Sequence, residues 1–414
     1  MEINKLGNDV KNAYLEENCG KSILPLSIVE NIDLPGLNPL DVLLFYKKGI
    51  SLLKIRESFF KTLDYYNLFS SRMIMTDQDK FALLYCTDGA QLNILPSIDV
   101  TMDNINIDDV KNMMVQVKTL PGKHLFAVTV IPIQDGMLAG ISCSHAVADG
   151  IALILFLYSW GLIIEGKDFP RPSPQRLFKG PPVRFDKINK KFIPPLSGLS
   201  HVIQNRVNHD NKVKVYCKNE YFSDELLNEI KNEARKENPR CLISNNQIMT
   251  SILLKKYHHR ILPNTNKVIV KNPIDLRSVH PDIDSFYIGN AYTCSFTEFT
   301  KDEIDKMSTT EISYRLKESI AGMRNENNIK KMAYLSKYGI EFNLDMFQSY
   351  PPYSIEADLV STNLTHMNDL ESLGLDVNTG KILYLGISVP NVLAMLKEKS
   401  GSIFVQVTSR YPLS

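Results

Sequence analysis

The sequence of 414 residues is short of the features that mark several large protein classes. Its six cysteines, Cys19, Cys86, Cys143, Cys217, Cys241 and Cys294, are widely scattered, without a CxxC pair or metal-finger spacing. That excludes a zinc-finger or disulfide framework and fits free thiols in a reducing compartment. Charge of one sign is missing too: 47 Lys and Arg against 46 Asp and Glu leave +1. Such a balance exerts no global pull on phosphate polymers or anionic membranes, so nucleic acid is not an expected partner. The longest apolar run, Ile151 to Ile164, has 14 residues, against roughly 20 needed to cross a bilayer. It reads as a buried helix, and no membrane span is expected. Residues 1–10 carry Glu2, Lys5 and Asp9 without an apolar core, so no secretory signal is expected and a cytoplasmic location is. Gly-x-Ser-x-Gly, His-Glu-x-x-His and Gly-x-Gly-x-x-Gly do not occur, and Cys19-Gly-Lys-Ser22 lacks the first glycine of a phosphate loop.

What remains is an ordinary globular composition, 44% hydrophobic and 22% charged, with length for two or three domains. Leu125 to Ile133 and Met137 to Ser144 are strand-like runs around Gln134-Asp135-Gly136, a hairpin pattern. The second run leads into His145-Ala-Val-Ala-Asp149-Gly150, where Asp149 or Gly150 caps the apolar helix. Leu53 to Leu63 is helical by its apolar spacing. Between Gly166 and Val213 stand seven of the 21 prolines, interleaved with Arg and Lys, the pattern of a crossover between domains. Beyond it, helices are expected at Asp224–Glu237 and Asn245–Arg260, with strands at Lys267–Val270, Ile382–Ser388 and Ser402–Val407. The expected division is a first domain over 1–170, a crossover over 171–213 and a second domain over 214–414. Both halves mix strands and helices in α/β or α+β layers.

His145 leaves a strand of small residues, Ala139, Gly140, Ser142 and Ser144, which leave room for a ligand. An imidazole ordinarily titrates near ~6.5 and can take a proton from a hydroxyl or amine attacking a carbonyl. An isolated His-x-x-x-Asp, however, more often just closes a hairpin end. For Asp149 three readings stand open: orienting the imidazole, capping the helix, or pairing with a distant cation. Arg277, in Asp275-Leu276-Arg277, is the candidate cation. Cys143 shares the strand face of His145 and would permit a covalent acyl-enzyme, although a buried free cysteine is the commoner meaning. His258-His259 ends a Lys-rich helix with no carboxylate or cysteine nearby, reading as charge at a helix C-terminus. No metal site is expected.

The His145 to Gly150 segment, with its hairpin and apolar helix, resembles the His-x-x-x-Asp-Gly signature of the BAHD acyltransferases. These belong to the superfamily of chloramphenicol acetyltransferase and peptide-synthetase condensation domains. Four further segments follow the family order: Leu24-Pro-Leu-Ser27, Leu53-Lys54 through Ser58 to Arg72, Ser244-Asn-Asn-Gln-Ile-Met-Thr250, and Asp275-Leu-Arg277 with Tyr287-Ile-Gly-Asn-Ala291. The resemblance implies an α/β fold of two similar chloramphenicol-acetyltransferase-like domains, mixed sheets with flanking helices, and an active-site channel at their interface. It implies His145 as general base in a ternary complex, with Asp149, beside Gly150, a structural partner of Arg277. The family's late Asp-Phe-Gly-Trp-Gly appears as Asp376-Val377-Asn378-Thr379-Gly380, keeping only its first and last residues. Counting back from Asp376, Thr365 falls where the family holds an oxyanion hydroxyl, with Ser361-Thr362-Asn363 as the alternative register. The lost aromatics mark a divergent member. The implied function is transfer of an acyl group from acyl-CoA to a hydroxyl or amine of a small molecule of secondary metabolism. The protein would act as a monomer with no permanently bound cofactor. A carrier-protein thioester donor, or an inactive ligand-binding relative, is the alternative. Coenzyme A phosphates need a basic cluster or a helix N-terminus at the channel mouth, for which Lys179, Arg184 and the helix start at Ser244 are candidates.

Overall fold

In the first half the computed structural model describes residues 23–25, 39–47, 50–75, 81–85, 89–119 and 122–173. In the second half it describes 215–239, 242–277, 283–324, 359–365, 380–386, 390–397 and 402–413. The first half runs β1 (Ile23–Pro25), β2 (Leu40–Tyr46), α1 (Leu52–Leu63), β3 (Ser71–Met75), β4 (Phe81–Tyr85), β5 (Ala90–Ile94), α2 (Ile107–Met113), β6 (Phe126–Ile133), β7 (Gly136–Cys143) and α3 (Gly150–Glu165). The second runs β8 (Tyr216–Phe222), α4 (Asp224–Glu237), α5 (Asn245–Ile261), β9 (Lys267–Asp275), β10 (Tyr292–Thr300), α6 (Lys301–Lys306), α7 (Thr309–Met323), β11 (Leu359–Asn363), β12 (Gly380–Gly386), β13 (Val392–Lys397) and β14 (Ile403–Ser409).

Strands that are apolar on both faces belong in the middle of a covered sheet, and β2, β6 and β7 lie there. The first sheet has the order β12-β2-β7-β6-β5. One face, with Val42, Leu44, Val128, Val130 and Ile141, packs against α1 and α3 around the rings of Phe59, Phe69, Phe126, Phe156 and Trp160. The other, with Leu43, Phe45, Ile131 and Leu138, is covered by Val110 and Met114. α3 is apolar all round, as its burial requires. It ends at Gly166, whose φ of 72° is the left-handed conformation open to glycine.

The second sheet has the order β10-β9-β11-β13-β14-β8, with β11 parallel to β9 and β13. Its apolar face, Val268, Val270, Phe299, Leu393 and Val405, meets Leu227, Ile248, Leu253, Tyr257 and Leu316 of the flanking helices. Capping boxes at Ser244/Gln247, Thr300/Glu303 and Ser308/Glu311 set three helix starts.

Two departures from the sequence expectation bear on the site. The strand expected to stop at Val270 continues to Asp275, because β10 pairs with it from Tyr292↔Asp275 to Thr300↔Lys267 and carries it through Lys271-Asn272-Pro273. The strand expected over 382–388 lies at 380–386 and joins the first sheet, where Gly380↔Tyr46 through Gly386↔Asp41 pair it with β2. β12, from late in the chain, thus completes the sheet built by strands of the first half. Of the expected crossover, only 171–173 lies within the described residues.

Candidate active site

The β6–β7 hairpin fixes where His145 emerges. Its register runs from Phe126↔Cys143 to Ile133↔Gly136. A Cβ on Gly136 would stand 2.1 Å from the Tyr46 carbonyl oxygen, so only glycine fits that turn. The small residues of β7, expected to leave ligand space, serve another purpose. A Cβ on Gly140 would stand 2.5 Å from Met114 Cγ. The Ser142 hydroxyl accepts from Val117 N at 3.0 Å, and Ser144 Oγ meets Thr119 Oγ1 at 2.6 Å. The segment from Met114 to Thr119 therefore covers this face.

Past Cys143 the chain turns tightly. Ser144 N donates to Leu125 O at 2.8 Å, Ala146 N to Ser144 Oγ at 3.2 Å and Val147 N to Ser144 O at 3.1 Å. Ala146, Val147 and Ala148 are fully buried, while His145 between them and the strand is half-buried. The second half of the chain reaches this loop as well: Asn290 Nδ2 donates to His145 O at 2.5 Å, and the Tyr292 ring stands edge-on to the imidazole, 6.5 Å between centroids.

Asp149 caps α3, its Oδ1 accepting from Ala152 N at 2.8 Å. The same carboxylate takes both Arg277 terminal nitrogens at 3.0 Å and Ala291 N at 2.8 Å. A carboxylate offers about four acceptor sites, and these four donors fill them. None is left for the imidazole, so two of the three open readings hold together and the third closes. Arg277 is equally committed: Nε donates to Tyr287 O at 3.0 Å, one terminal nitrogen also to Asp275 Oδ1 at 2.9 Å, and the other also to Gly289 O at 2.9 Å. All five guanidinium donors are used, with the side chain only 3% exposed. Burial works to lower its pKa, but the Asp149 and Asp275 carboxylates outweigh it and hold it above the ordinary value.

Cys143 lies fully buried; burial, with the Asp149 and Asp41 charges adding, drives its pKa well up. A thiol so held is not a nucleophile.

Thr365 follows β11 and is half-buried, its hydroxyl donating to Asn363 Oδ1 at 2.7 Å. Its neighbour Leu364 brings Cδ2 to 3.4 Å of where a Gly150 Cβ would sit, so this strand end abuts the start of α3. Ser361, in the alternative register, is buried against Thr250 at 2.7 Å, inside the second half. Ser244 is the exposed cap of α5 and exchanges bonds with Gln247. Lys179, Arg184 and Asp376 lie outside the described residues.

Asp275, Asn290 and Tyr292 were given no role in the sequence, although the first two stand inside the quoted Asp275-Leu-Arg277 and Tyr287 to Ala291 segments. Those segments were the available signal. Tyr292 had none, because it becomes a neighbour of His145 only through the β9–β10 pairing.

A family model described as Transferase family matches residues 16–370. A curated relative, BAHD acyltransferase DCR of Arabidopsis thaliana, is 26% identical over 116 residues, 25% of this chain and 24% of that protein. The match thus spans about a quarter of that relative's length. Among solved structures, F. sporotrichioides TRI101 complexed with coenzyme A and T-2 superposes with a TM-score of 0.67 at 12% identity, over 94% of this chain and 95% of that one. Vinorine synthase gives 0.65 at 15% identity, over 95% and 93%. At such identities the likeness is one of fold. The shared fold is the one expected above, two mixed sheets with flanking helices.

Proposed function

Because this chain belongs to the Transferase family, that of the BAHD acyltransferases, we propose that it moves an acyl group from a coenzyme A thioester to a hydroxyl or amine of a small molecule, with His145 as general base. The observation that carries this reading is the commitment of Asp149. With its acceptor sites filled by Arg277, Ala152 and Ala291, it holds the loop in place while His145, alone of residues 144–149, is not buried. Coenzyme A bound to F. sporotrichioides TRI101, which has this fold, supports the choice of donor.

In the proposed reaction the His145 imidazole removes the acceptor proton as the oxygen or nitrogen attacks the thioester carbonyl. A tetrahedral oxyanion forms. Its collapse breaks the carbon–sulfur bond, and the departing thiolate takes the proton back from the imidazolium, so base and charge are restored. No acyl-enzyme is needed, in keeping with the buried Cys143 thiol. Thr365 is the candidate donor to the oxyanion, reaching it by giving up Asn363. The exposed helix start at Ser244 offers backbone N–H groups for a coenzyme phosphate; Lys179 and Arg184 join it on the strength of the sequence alone.

The test is thiol release from a panel of free acyl-CoAs with small-molecule hydroxyl and amine acceptors. His145→Ala should lose on the order of 10² to 10⁴ in turnover while retaining donor binding. Near-normal turnover by that variant overturns the base assignment. Turnover only with a carrier-bound thioester overturns the donor, and no turnover with either leaves the ligand-binding alternative.

A further inference from the structure

Far along the chain from His145, α5 ends in His258-His259, and the last turn of α6 brings Asp305 against both. His258 Nε2 stands 3.2 Å from Asp305 Oδ1, while His259 Nε2 is hydrogen-bonded to Asp305 Oδ2 at 3.1 Å. The two imidazole rings lie 4.0 Å apart. The carboxylate that the sequence neighbourhood lacked is therefore supplied by tertiary structure.

The geometry points to a divalent metal site of the zinc class, with His258 and His259 as nitrogen ligands, Asp305 as oxygen ligand and a fourth position open to water. Three observations carry it. Donors bound tetrahedrally at about 2.0–2.1 Å stand about 3.3 Å apart, close to the two nitrogen–oxygen separations here, one to each oxygen of the carboxylate. His258 Nδ1 faces Leu254 O at 2.9 Å. A carbonyl can only accept, so Nδ1 carries a proton and the neutral ring presents its lone pair at Nε2, the arrangement that orients metal-binding histidines. That nitrogen belongs to a side chain 1% exposed and makes no hydrogen bond, yet it stands 3.2 Å from a carboxylate oxygen. A lone pair on a buried nitrogen that faces a carboxylate oxygen calls for a cation between them. His259 and Asp305, 61% and 51% exposed, leave an entry path. The same elements are already tied by Lys255, whose ammonium donates to Ile304 O at 2.9 Å and to Asp305 O at 3.3 Å. A metal would thus be a clamp at the edge of the second half, not a participant at His145.

The experiment uses the full chain stripped with a chelator and titrated with Zn2+ against a chromophoric competitor, with melting followed in parallel. Wild type should take up one equivalent and melt at a higher temperature. Asp305→Ala and His259→Ala, both at exposed positions, should each weaken uptake at least about tenfold and abolish the shift. Because Cys217 is an exposed thiol, Co2+ serves as second probe. Visible d–d bands without a thiolate charge-transfer band are expected, and Cys217→Ser should not change them. Lack of uptake by wild type, uptake that survives both substitutions, or a thiolate signature overturns the site; the first of these would mean that a proton alone joins His258 to Asp305.

Discussion

Asp149 and Asp41 are both buried beside Cys143, each near enough to raise its pKa, and they are treated in opposite ways. Asp149 is surrounded by a guanidinium and two backbone N–H groups. Asp41, on β2, receives Gln116 Nε2 at 3.2 Å and the Ser142 hydroxyl, and no cation reaches it among the described residues. Desolvation therefore dominates at Asp41 and pushes its pKa up to about 6, with Ser142 pulling the other way. Burial alone does not decide what a carboxyl does. The supply of donors does.

The comparison breaks most visibly if the cation is removed from Asp149. Arg277→Met leaves an uncompensated buried charge and should destabilise the protein by about 3 to 5 kcal/mol in urea unfolding. Asp149→Asn should cost a comparable amount. The double variant should lose clearly less than the sum, since both substitutions remove one interaction. An unchanged melting temperature with abolished turnover in Asp149→Asn would instead place that residue in the chemistry.

Asp41 sharpens the contrast through pH. Its folded pKa lies above the ordinary 3.8, so between about pH 4 and 6 the native state binds more protons than the unfolded chain. Its contribution to stability is therefore present at low pH and lost as pH rises through about 6. Asp41→Asn, which can keep the Gln116 and Ser142 bonds, should be more stable than wild type by on the order of 2 kcal/mol near pH 7. Near pH 4 the two should unfold alike. Equal unfolding midpoints at both pH values would mean that the Asp41 carboxyl is not desolvated.

Asp275 offers an intermediate case. It pairs with Arg277 at 2.9 Å but is 39% exposed, and ion pairs open to water contribute about 0 to 1 kcal/mol. Asp275→Asn should lower stability by no more than that and be largely masked in high salt. The smallest effect is expected beside both aspartates, at Cys143. Cys143→Ala should turn over near the wild-type rate, and mass spectrometry after incubation with donor alone should find no acyl adduct on Cys143.

Local signals were legible in the sequence. α4 spans Asp224–Glu237 as expected, with Ser223 as cap, acids in the first turn and Arg235 and Lys236 in the last. The hairpin, the cap at Asp149 and the start of α3 were equally readable, since turn chemistry and apolar spacing act over a few residues. β10 and α7 went unread, because their apolar positions make sense only against β9 and α5. The edge position of β12 was hidden for the same reason, its partner β2 being more than 330 residues away in the chain.

By itself the sequence determined that His145 would leave a hairpin strand, that the Asp149–Gly150 step would begin an apolar helix, and that Arg277 was available as a cation. Only the tertiary structure decided that Asp149 caps and pairs at once, that the small residues of β7 admit a covering segment, and that Asp305 meets the two histidines. The reason is that a buried charge persists only where all its hydrogen-bonding positions are met. The donors and acceptors that meet them, Tyr287 O, Gly289 O, Ala291 N and Asp275 around one ion pair, come together through strand pairing and packing rather than through neighbourhood in the chain.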